Sequence, residues 1–242
     1  MFALAKPSLL NGLTSLFYPP LCAFCNNAVE SGEHLCVACA TALPRIRPPF
    51  CDKCSEPFAG AITGRFSCAN CAHRKLHFDS AVAVYRSRGA VRELIHDFKY
   101  ARQRQLRHPI AGWLAESLDD LRLRGRRFDL FVPVPLHPAR ERERGFNQAT
   151  LLAELMSQRT GIRLGLALQR IRYTTTQTQF DRFERMKNLK GAFRLRRGFV
   201  VQDLHVLLID DVLTTGSTLS ECAWVLKQAG AVSVYAATAA RG

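Results

Sequence analysis

At 242 residues with 48% hydrophobic content, the chain is long enough for one good-sized domain plus a small appendage, and too apolar to default to disorder. Its 34 Lys and Arg against 20 Asp and Glu give a formal charge of +14, which favours anionic partners or substrates, the bland alternative being an arginine-rich soluble surface. No apolar stretch is long enough to cross a membrane, and Asn11 and Gly12 interrupt the opening apolar run, so the sequence predicts a cytoplasmic protein without secretion signal or membrane insertion.

In chain order, Leu9, Leu10, Leu13, Leu16 and Phe17 predict one face of a short amphipathic helix. Eight of the nine cysteines follow within the first 71 residues, as Cys22-x2-Cys25, ten residues, Cys36-x2-Cys39, and Cys51-x2-Cys54, thirteen residues, Cys68-x2-Cys71. A two-residue spacing lets a tight turn aim both sulfurs at one ion, and two such turns complete the tetrahedron that structural Zn2+ prefers. Two sequential four-cysteine sites are the economical reading; an interleaved cross-brace and redox-active pairs are the alternatives. A closed four-sulfur site leaves no open position for catalysis, so the metal is expected to hold together a segment with little core of its own. His34, His73 and His77 are read as surface, and Cys222 as a small buried residue.

A composition change near Phe78 divides a Cys- and Pro-rich module, residues 1–77, from a domain of alternating strands and helices, residues 78–242. Ala81–Tyr85 reads as a strand, and Ala90–Tyr100 as a helix with Val91, Leu94, Ile95 and Phe98 on one face. Trp113, Leu114, Leu118 and Leu121 suggest a second helix, Phe128–Pro135 a strand, and Asn147–Arg159 a helix. An exposed polar segment is expected from Tyr173 to Lys187, and a last strand from Val232 to Thr238. Such alternation implies a mainly parallel wound sheet. Between the Phe128–Pro135 strand and the Asn147–Arg159 helix, Arg140, Arg142 and Arg144 come close to the helix start, where guanidinium groups suit a pyrophosphate; an Arg–Glu solvated face is the alternative.

The densest signal is Val206-Leu-Leu-Ile-Asp-Asp-Val-Leu-Thr-Thr-Gly-Ser-Thr218, an apolar strand, two acids, and a hydroxyl- and glycine-rich turn that opens a helix. Thr214, Thr215, Gly216, Ser217 and Thr218 can turn amides and hydroxyls toward one anion at a helix N-terminus. Asp210 and Asp211 are too acidic to face a phosphate and instead suit vicinal hydroxyls. Together they describe a ribose 5-phosphate; a plain helix N-cap is the bland reading.

This segment resembles the phosphoribosyl pyrophosphate loop of the type I phosphoribosyltransferases. The resemblance implies that Asp210 and Asp211 hold the ribose hydroxyls, that Thr214 to Thr218 cradle the 5-phosphate, and that Mg2+ bridges pyrophosphate and hydroxyls. Arg144-Gly-Phe-Asn-Gln148, with Pro133 and Pro135 and the cysteine-rich N-terminus, is similar to the ComF family of competence-associated, phosphoribosyltransferase-like proteins. That resemblance runs from Cys22 to Thr238 and includes the pair Lys99-Tyr100 and the stretch Gln177–Phe193, with Arg185, Asn188, Ala192 and Phe193. It implies a double zinc ribbon before a type I phosphoribosyltransferase-like domain, and a loop that closes over substrate around Arg185.

Two functions follow as expectations. In the first, the protein transfers phosphoribosyl from Mg-phosphoribosyl pyrophosphate to a nitrogen acceptor, with Arg140, Arg144 or Arg185 aiding the departing pyrophosphate. In the second, the same fold handles single-stranded DNA during uptake beside DNA-uptake proteins, with arginines tracking phosphates and Phe50, Phe58 and Phe66 as stacking platforms or, alternatively, small-core residues. Only 24 residues follow Thr218, and none resembles a nucleobase-binding hood, so the acceptor is left open.

Overall fold

The computed structural model describes residues 20–30, 33–62, 64–101, 103–173 and 189–242. Arg185, with Gln177 and Asn188, and the expected helix face from Leu9 to Phe17 lie outside the described residues. The chain forms two compact units, Met1–Leu43 and Pro44–Gly242. The composition break at 77/78 therefore differs from the break in compactness.

Each unit holds one four-cysteine group on the same local plan. In the smaller, Leu21 and Ala28 make an antiparallel bridge, the Cys22 amide donates to the Asn27 carbonyl at 2.8 Å, and Asn26 takes φ +56°. Cys36 then caps α1 (Val37–Ala42), its sulfur accepting from the Cys39 amide at 3.5 Å. In the larger, Phe50 bridges Pro57, the Cys51 amide donates to the Glu56 carbonyl at 2.8 Å, and Ser55 takes φ +59°. Cys68 stands at the N-cap of α2 (Ala69–Ala72). A left-handed residue right after the Cys-x-x-Cys is what folds both sulfurs inward; Asn accepts that conformation readily. Ser55 is held there by its buried hydroxyl, which donates to the Ala81 carbonyl and accepts from the Ala83 amide, both at 3.0 Å.

The rest of the larger unit is a parallel five-stranded sheet. Its members are β1 (Ala81–Arg86), β2 (Leu130–Pro133), β3 (Arg163–Leu164), β6 (His205–Leu213) and β7 (Ser233–Arg241), in the spatial order β1-β7-β6-β2-β3. β4 (Leu168–Arg170) and β5 (Phe193–Leu195) form a separate antiparallel pair flanking the segment of Arg185. The expected parallel α/β architecture is thus present. Helices α3 (Ala90–Tyr100), α4 (Arg107–Glu116), α5 (Pro138–Arg144), α6 (Gln148–Thr160) and α7 (Ser217–Gln228) connect the strands.

α3 has the expected bounds and buries Val91, Leu94, Ile95 and Phe98. The second helix differs: it starts at Arg107 and ends at Glu116, followed by a single 3-10 turn, and Leu121 is 86% exposed. The Ser117 hydroxyl donates to the Leu114 carbonyl at 2.6 Å, and Asp120 accepts from the Arg122 amide and side chain, closing a turn that the apolar spacing did not reveal. β6 runs past Ile209 to Leu213 because β7 supplies a partner as far as Arg241, whereas β2 stops pairing at Pro133.

The four cysteines of the second group lie in one buried cluster with Phe78, Leu130, Val206, Leu208 and Val234. Their sulfurs fill the same core as the sheet.

Chain reversal positions the site. From β2 the chain passes through α6 to β3 on one side, and from β6 through α7 to β7 on the other. The switch point falls between β2 and β6, and crevices at carboxyl ends of strands flanking such a point are where open α/β sheets bind ligands.

Candidate functional site

The β2–β6 ladder runs from Leu130/Val206 to Pro133/Ile209, and the Val134 amide adds one more bond to the Ile209 carbonyl at 3.0 Å. Asp210 and Asp211 come immediately after. Here the two strands border a cavity of about 410 Å³, lined by Asp210, Asp211, Thr214 and Thr218 from the long motif, Lys99 and Tyr100 from α3, and Arg144, Gln148 and Arg170. The end of β1 contributes Ser87 and the end of β2 contributes Val134 and Pro135.

The two acids differ in charge. Asp211 is 2% exposed and forms an ion pair with the Lys99 ammonium. Burial pushes its carboxyl up, but Lys99, a hydrogen bond involving Asp210 and the more distant Arg144 outweigh this and hold it below the ordinary value. Asp210, only partly buried, accepts from the Asp211 amide at 2.9 Å. Burial and the adjacent Asp211 carboxylate push its own carboxyl well above the ordinary value. One acid is thus held as the anion, and its neighbour takes up a proton more readily than an ordinary carboxylate.

The turn from Thr214 to Gly216 carries the chain into α7. Gly216 adopts φ +77°, and a Cβ there would sit 3.4 Å from the Phe78 ring and 3.5 Å from Leu213. Those are ordinary contact distances, so Gly216→Ala is expected to cost about 1–2 kcal/mol from left-handed strain alone, readable as a lowered midpoint in urea. The five turn residues do not all face the cavity. Thr214 and Thr218 line it, whereas the Thr215 and Ser217 hydroxyls lie 2.9 Å from each other and Ser217 is buried. The Ser217 amide donates to the Thr215 hydroxyl at 3.4 Å, a bond within the turn, while the N-cap position of α7 is Gly216, which has no side chain to cap it. The turn thus divides, with Thr214 and Thr218 facing the cavity and the Thr215 hydroxyl engaged within the turn.

Arg144-Gly-Phe-Asn-Gln148 divides its labour residue by residue. Gly145, at φ +83°, ends α5 in the left-handed conformation. Phe146 is buried with its ring centroid 5.5 Å from that of Phe98. Asn147 Oδ1 accepts from the Ala149 amide at 3.0 Å, and Asn147 Nδ2 donates to the Val134 carbonyl at 3.1 Å, tying the start of α6 to the end of β2. Arg144 and Gln148 remain for the cavity, bonded to each other at 2.5 Å, with the Arg144 guanidinium 5.1 Å over the Tyr100 ring. Arg140 is not among the lining residues; it bonds Glu143 at 3.2 Å and lies 5.8 Å over the Tyr173 ring. Arg142 is exposed.

Sequence reading missed Arg170, Ser87, Arg92 and His96, all of which line the cavity. Arg170 leaves β4 with its guanidinium 5.4 Å from the Phe193 ring centroid; burial lowers its pKa, and the nearby Asp210 opposes that shift. A lone Arg in a short strand carries no distinguishing spacing, and its role depends on the placement of the β4–β5 pair. For Ser87, the available signal was its position two residues after the expected strand Ala81–Tyr85.

The cysteines group sequentially. The ligand atoms of Cys22, Cys25, Cys36 and Cys39, and separately of Cys51, Cys54, Cys68 and Cys71, lie within 4.8 Å of one another, against a sulfur–sulfur edge of about 3.8 Å for a tetrahedral Zn–S4 centre. In the second group, hydrogen bonds from Cys54 and Cys71 pull the Cys51 thiol down, while Cys51 raises Cys54 to about 12 and also raises Cys71. Four sulfurs so close cannot all ionise unaided, and a divalent cation removes that conflict. Of the phenylalanines, Phe58 and Phe66 lie 4.9 Å apart, Phe66 packing against the core while Phe58 is 38% exposed, and the partly buried Phe50 lies under the Arg122 guanidinium at 4.5 Å. His73 is exposed, His34 and His77 are partly buried, and Cys222 is fully buried. No described helix is long and apolar enough to cross a membrane.

Residues 13–72 match the double zinc ribbon domain and residues 146–242 the phosphoribosyl transferase domain. DNA utilization protein YhgH of Salmonella typhimurium is 34% identical over 223 residues, covering 90% of this chain and 96% of that protein. Competence protein F of Haemophilus influenzae is 29% identical, covering 88% and 93%, and competence protein ComFC of Bacillus subtilis 26%, covering 88% and 86%. The cysteine groups are those of a double zinc ribbon suited to structural Zn2+, and the chain belongs to the ComF family, with a domain of the type I phosphoribosyltransferase class.

Proposed function

We propose that the cavity at the β2–β6 switch point binds Mg-phosphoribosyl pyrophosphate and transfers its phosphoribosyl group to a nitrogen nucleophile. The observation that carries this reading is that Asp210, Asp211, Thr214 and Thr218 and the cations Arg144 and Arg170 all line one cavity at the sheet's switch point. The acids suit the ribose 2- and 3-hydroxyls, and the turn with the first amides of α7 suits the 5-phosphate. Mg2+ would supply charge to the pyrophosphate oxygens. Transfer breaks the bond from C1 to the pyrophosphate oxygen, forms the bond from C1 to nitrogen, and releases the proton of that nitrogen. Arg144 and Arg170, which line the cavity, would offset charge gathering on the leaving group, with Arg140 and Arg185 as further candidates. Asp211, held as the anion by Lys99, is a poor base; Asp210, with its raised pKa, is the better proton acceptor of the two.

Calorimetry with Mg2+ and phosphoribosyl pyrophosphate, followed by a pyrophosphate-release assay over a panel of nucleobases, tests both halves. Saturable binding with base-dependent release is the expected result. Binding without release for any base reduces the domain to a ligand sensor, and no binding overturns the reading. A second reading, non-catalytic handling of single-stranded DNA, is favoured by the +14 charge and by the printed names of the relatives, DNA utilization protein and competence protein. Its signature is single-strand affinity that falls steeply with salt and does not depend on Asp210.

A further inference from the structure

We propose that Asn70 and Arg74 are positioning residues of the phosphate turn, through which the second zinc ribbon holds that turn in shape. The role in ligand binding rests on the sugar-phosphate reading above; the anchoring does not. Asn70 lies between two metal-site cysteines, Cys68 and Cys71, and is 7% exposed. Arg74 follows Cys71 by one turn, its amide donating to the Cys71 carbonyl at 3.3 Å. Their side chains bond each other, Arg74 Nη1 to Asn70 Oδ1 at 2.7 Å, and together reach the turn. Asn70 Nδ2 at 3.2 Å and Arg74 Nη1 at 2.9 Å donate to the Thr215 carbonyl, and Arg74 Nη2 donates to the Ser217 hydroxyl at 2.9 Å.

These bonds fix the turn at both sides of Gly216, its most deformable residue. A trans peptide is rigid, so drawing the Thr215 carbonyl toward the ribbon sends the Gly216 N–H of the same peptide to the opposite side. Making the Ser217 hydroxyl an acceptor for Arg74 also restricts where its own proton can point, and Thr215 Oγ1 stands 2.9 Å away. The Phe78 ring backs the same glycine, and the His77 amide donates to the Ser220 hydroxyl at 3.1 Å one turn further along α7. Only a planar fork reaches both a carbonyl and a hydroxyl two residues apart while holding Asn70, so Lys is not an equivalent of Arg here. The guanidinium also brings positive charge behind a turn suited to an anion.

The test uses full-length, zinc-loaded protein with Arg74→Met, Arg74→Lys and Asn70→Ala. Zinc content is measured first. Amide hydrogen exchange of residues 214–220 in the ligand-free protein is then compared with that of 234–241 in β7, and affinity for ribose 5-phosphate is measured by calorimetry. Arg74→Met is expected to speed exchange across the turn and weaken ribose 5-phosphate by about tenfold each, with zinc content and β7 unchanged. Arg74→Lys should not restore either value, and Asn70→Ala should give a smaller change of the same sign. Unchanged turn exchange in Arg74→Met overturns the anchor. If the unsubstituted protein binds no ribose 5-phosphate, the sugar-phosphate reading fails alone and the exchange comparison still decides the anchor.

Discussion

Asp210→Asn and Asp211→Asn are expected to move stability in opposite directions while both weaken binding of phosphoribosyl pyrophosphate. Asp211 is buried and neutralises Lys99, whose side chain is 19% exposed. Removing the carboxylate strands a largely buried ammonium, at a cost of about 2–4 kcal/mol. Asp210 is the reverse case, its raised pKa meaning that the fold disfavours its charge. The amide keeps the acceptor for the Asp211 amide and cannot ionise, so Asp210→Asn should raise the melting temperature at neutral pH. Linkage gives the pH dependence. The contribution of Asp211, whose folded pKa is depressed, is complete above the ordinary carboxyl value of about 3.9 and is lost as pH falls through the lower folded value. The penalty at Asp210 begins near that ordinary value and grows with rising pH until its raised folded value is passed, so the gain from Asp210→Asn should be larger at pH 7 than at pH 4. Thermal melts at the two pH values, with calorimetry on each variant, check this. Equal destabilisation by both substitutions would mean that the acids share one charge state, contrary to the asymmetry set by Lys99.

That asymmetry was not legible in the sequence, where Asp210 and Asp211 are chemically alike. It depends on the placement of α3, whose Lys99 forms its ion pair with Asp211. What local pattern determines was legible: the parallel α/β architecture, the bounds of α3, the strand–turn–helix at Gly216 and the sequential cysteine groups. The Arg144–Gln148 motif stood out as a pattern, but its division into a cap, a left-handed turn, a core ring and two cavity residues needed the placement of β2 and α3. Long-range features carried no local mark. Ser217 reads as a phosphate ligand by spacing, yet its hydroxyl is engaged by Arg74, which lies far from it in the chain. Arg170 enters the cavity only because the β4–β5 pair folds beside the sheet. Leu121 was assigned to a helix face on periodicity and lies 86% exposed, because the Ser117 hydroxyl bonded to Leu114 and the Asp120–Arg122 contacts end the helix first. The compact units divide at Leu43 and Pro44 because the second ribbon's sulfurs are part of the sheet's core, which composition cannot reveal.

This sharing of a core predicts that a strong chelator releases zinc in two phases of equal size, from two four-sulfur sites per chain. In the first group Cys25 is exposed and Cys36 and Cys39 are partly exposed, whereas in the second all four cysteines are buried. Chelator reaches metal through exposed sulfurs, so the first group should empty rapidly and the second only through local opening. The consequences should differ as well. Structural Zn2+ in such sites contributes about 10–16 kcal/mol of apparent binding free energy that folding draws on. Loss from the first group should leave the far-ultraviolet signal of the sheet and its thermal midpoint unchanged. Loss from the second uncovers sulfurs packed beside Phe78, Val206 and Leu208, and should coincide with loss of that signal. Cys25→Ser and Cys54→Ser separate the phases by mutation: the first should abolish the fast phase alone, and the second should greatly reduce recovery of folded protein. A chromogenic chelator read beside circular dichroism records both quantities in one sample. Release of fewer than two ions, or one phase in step with unfolding, would overturn independent sites, while slow release with the sheet intact would remove the second zinc from the core's support.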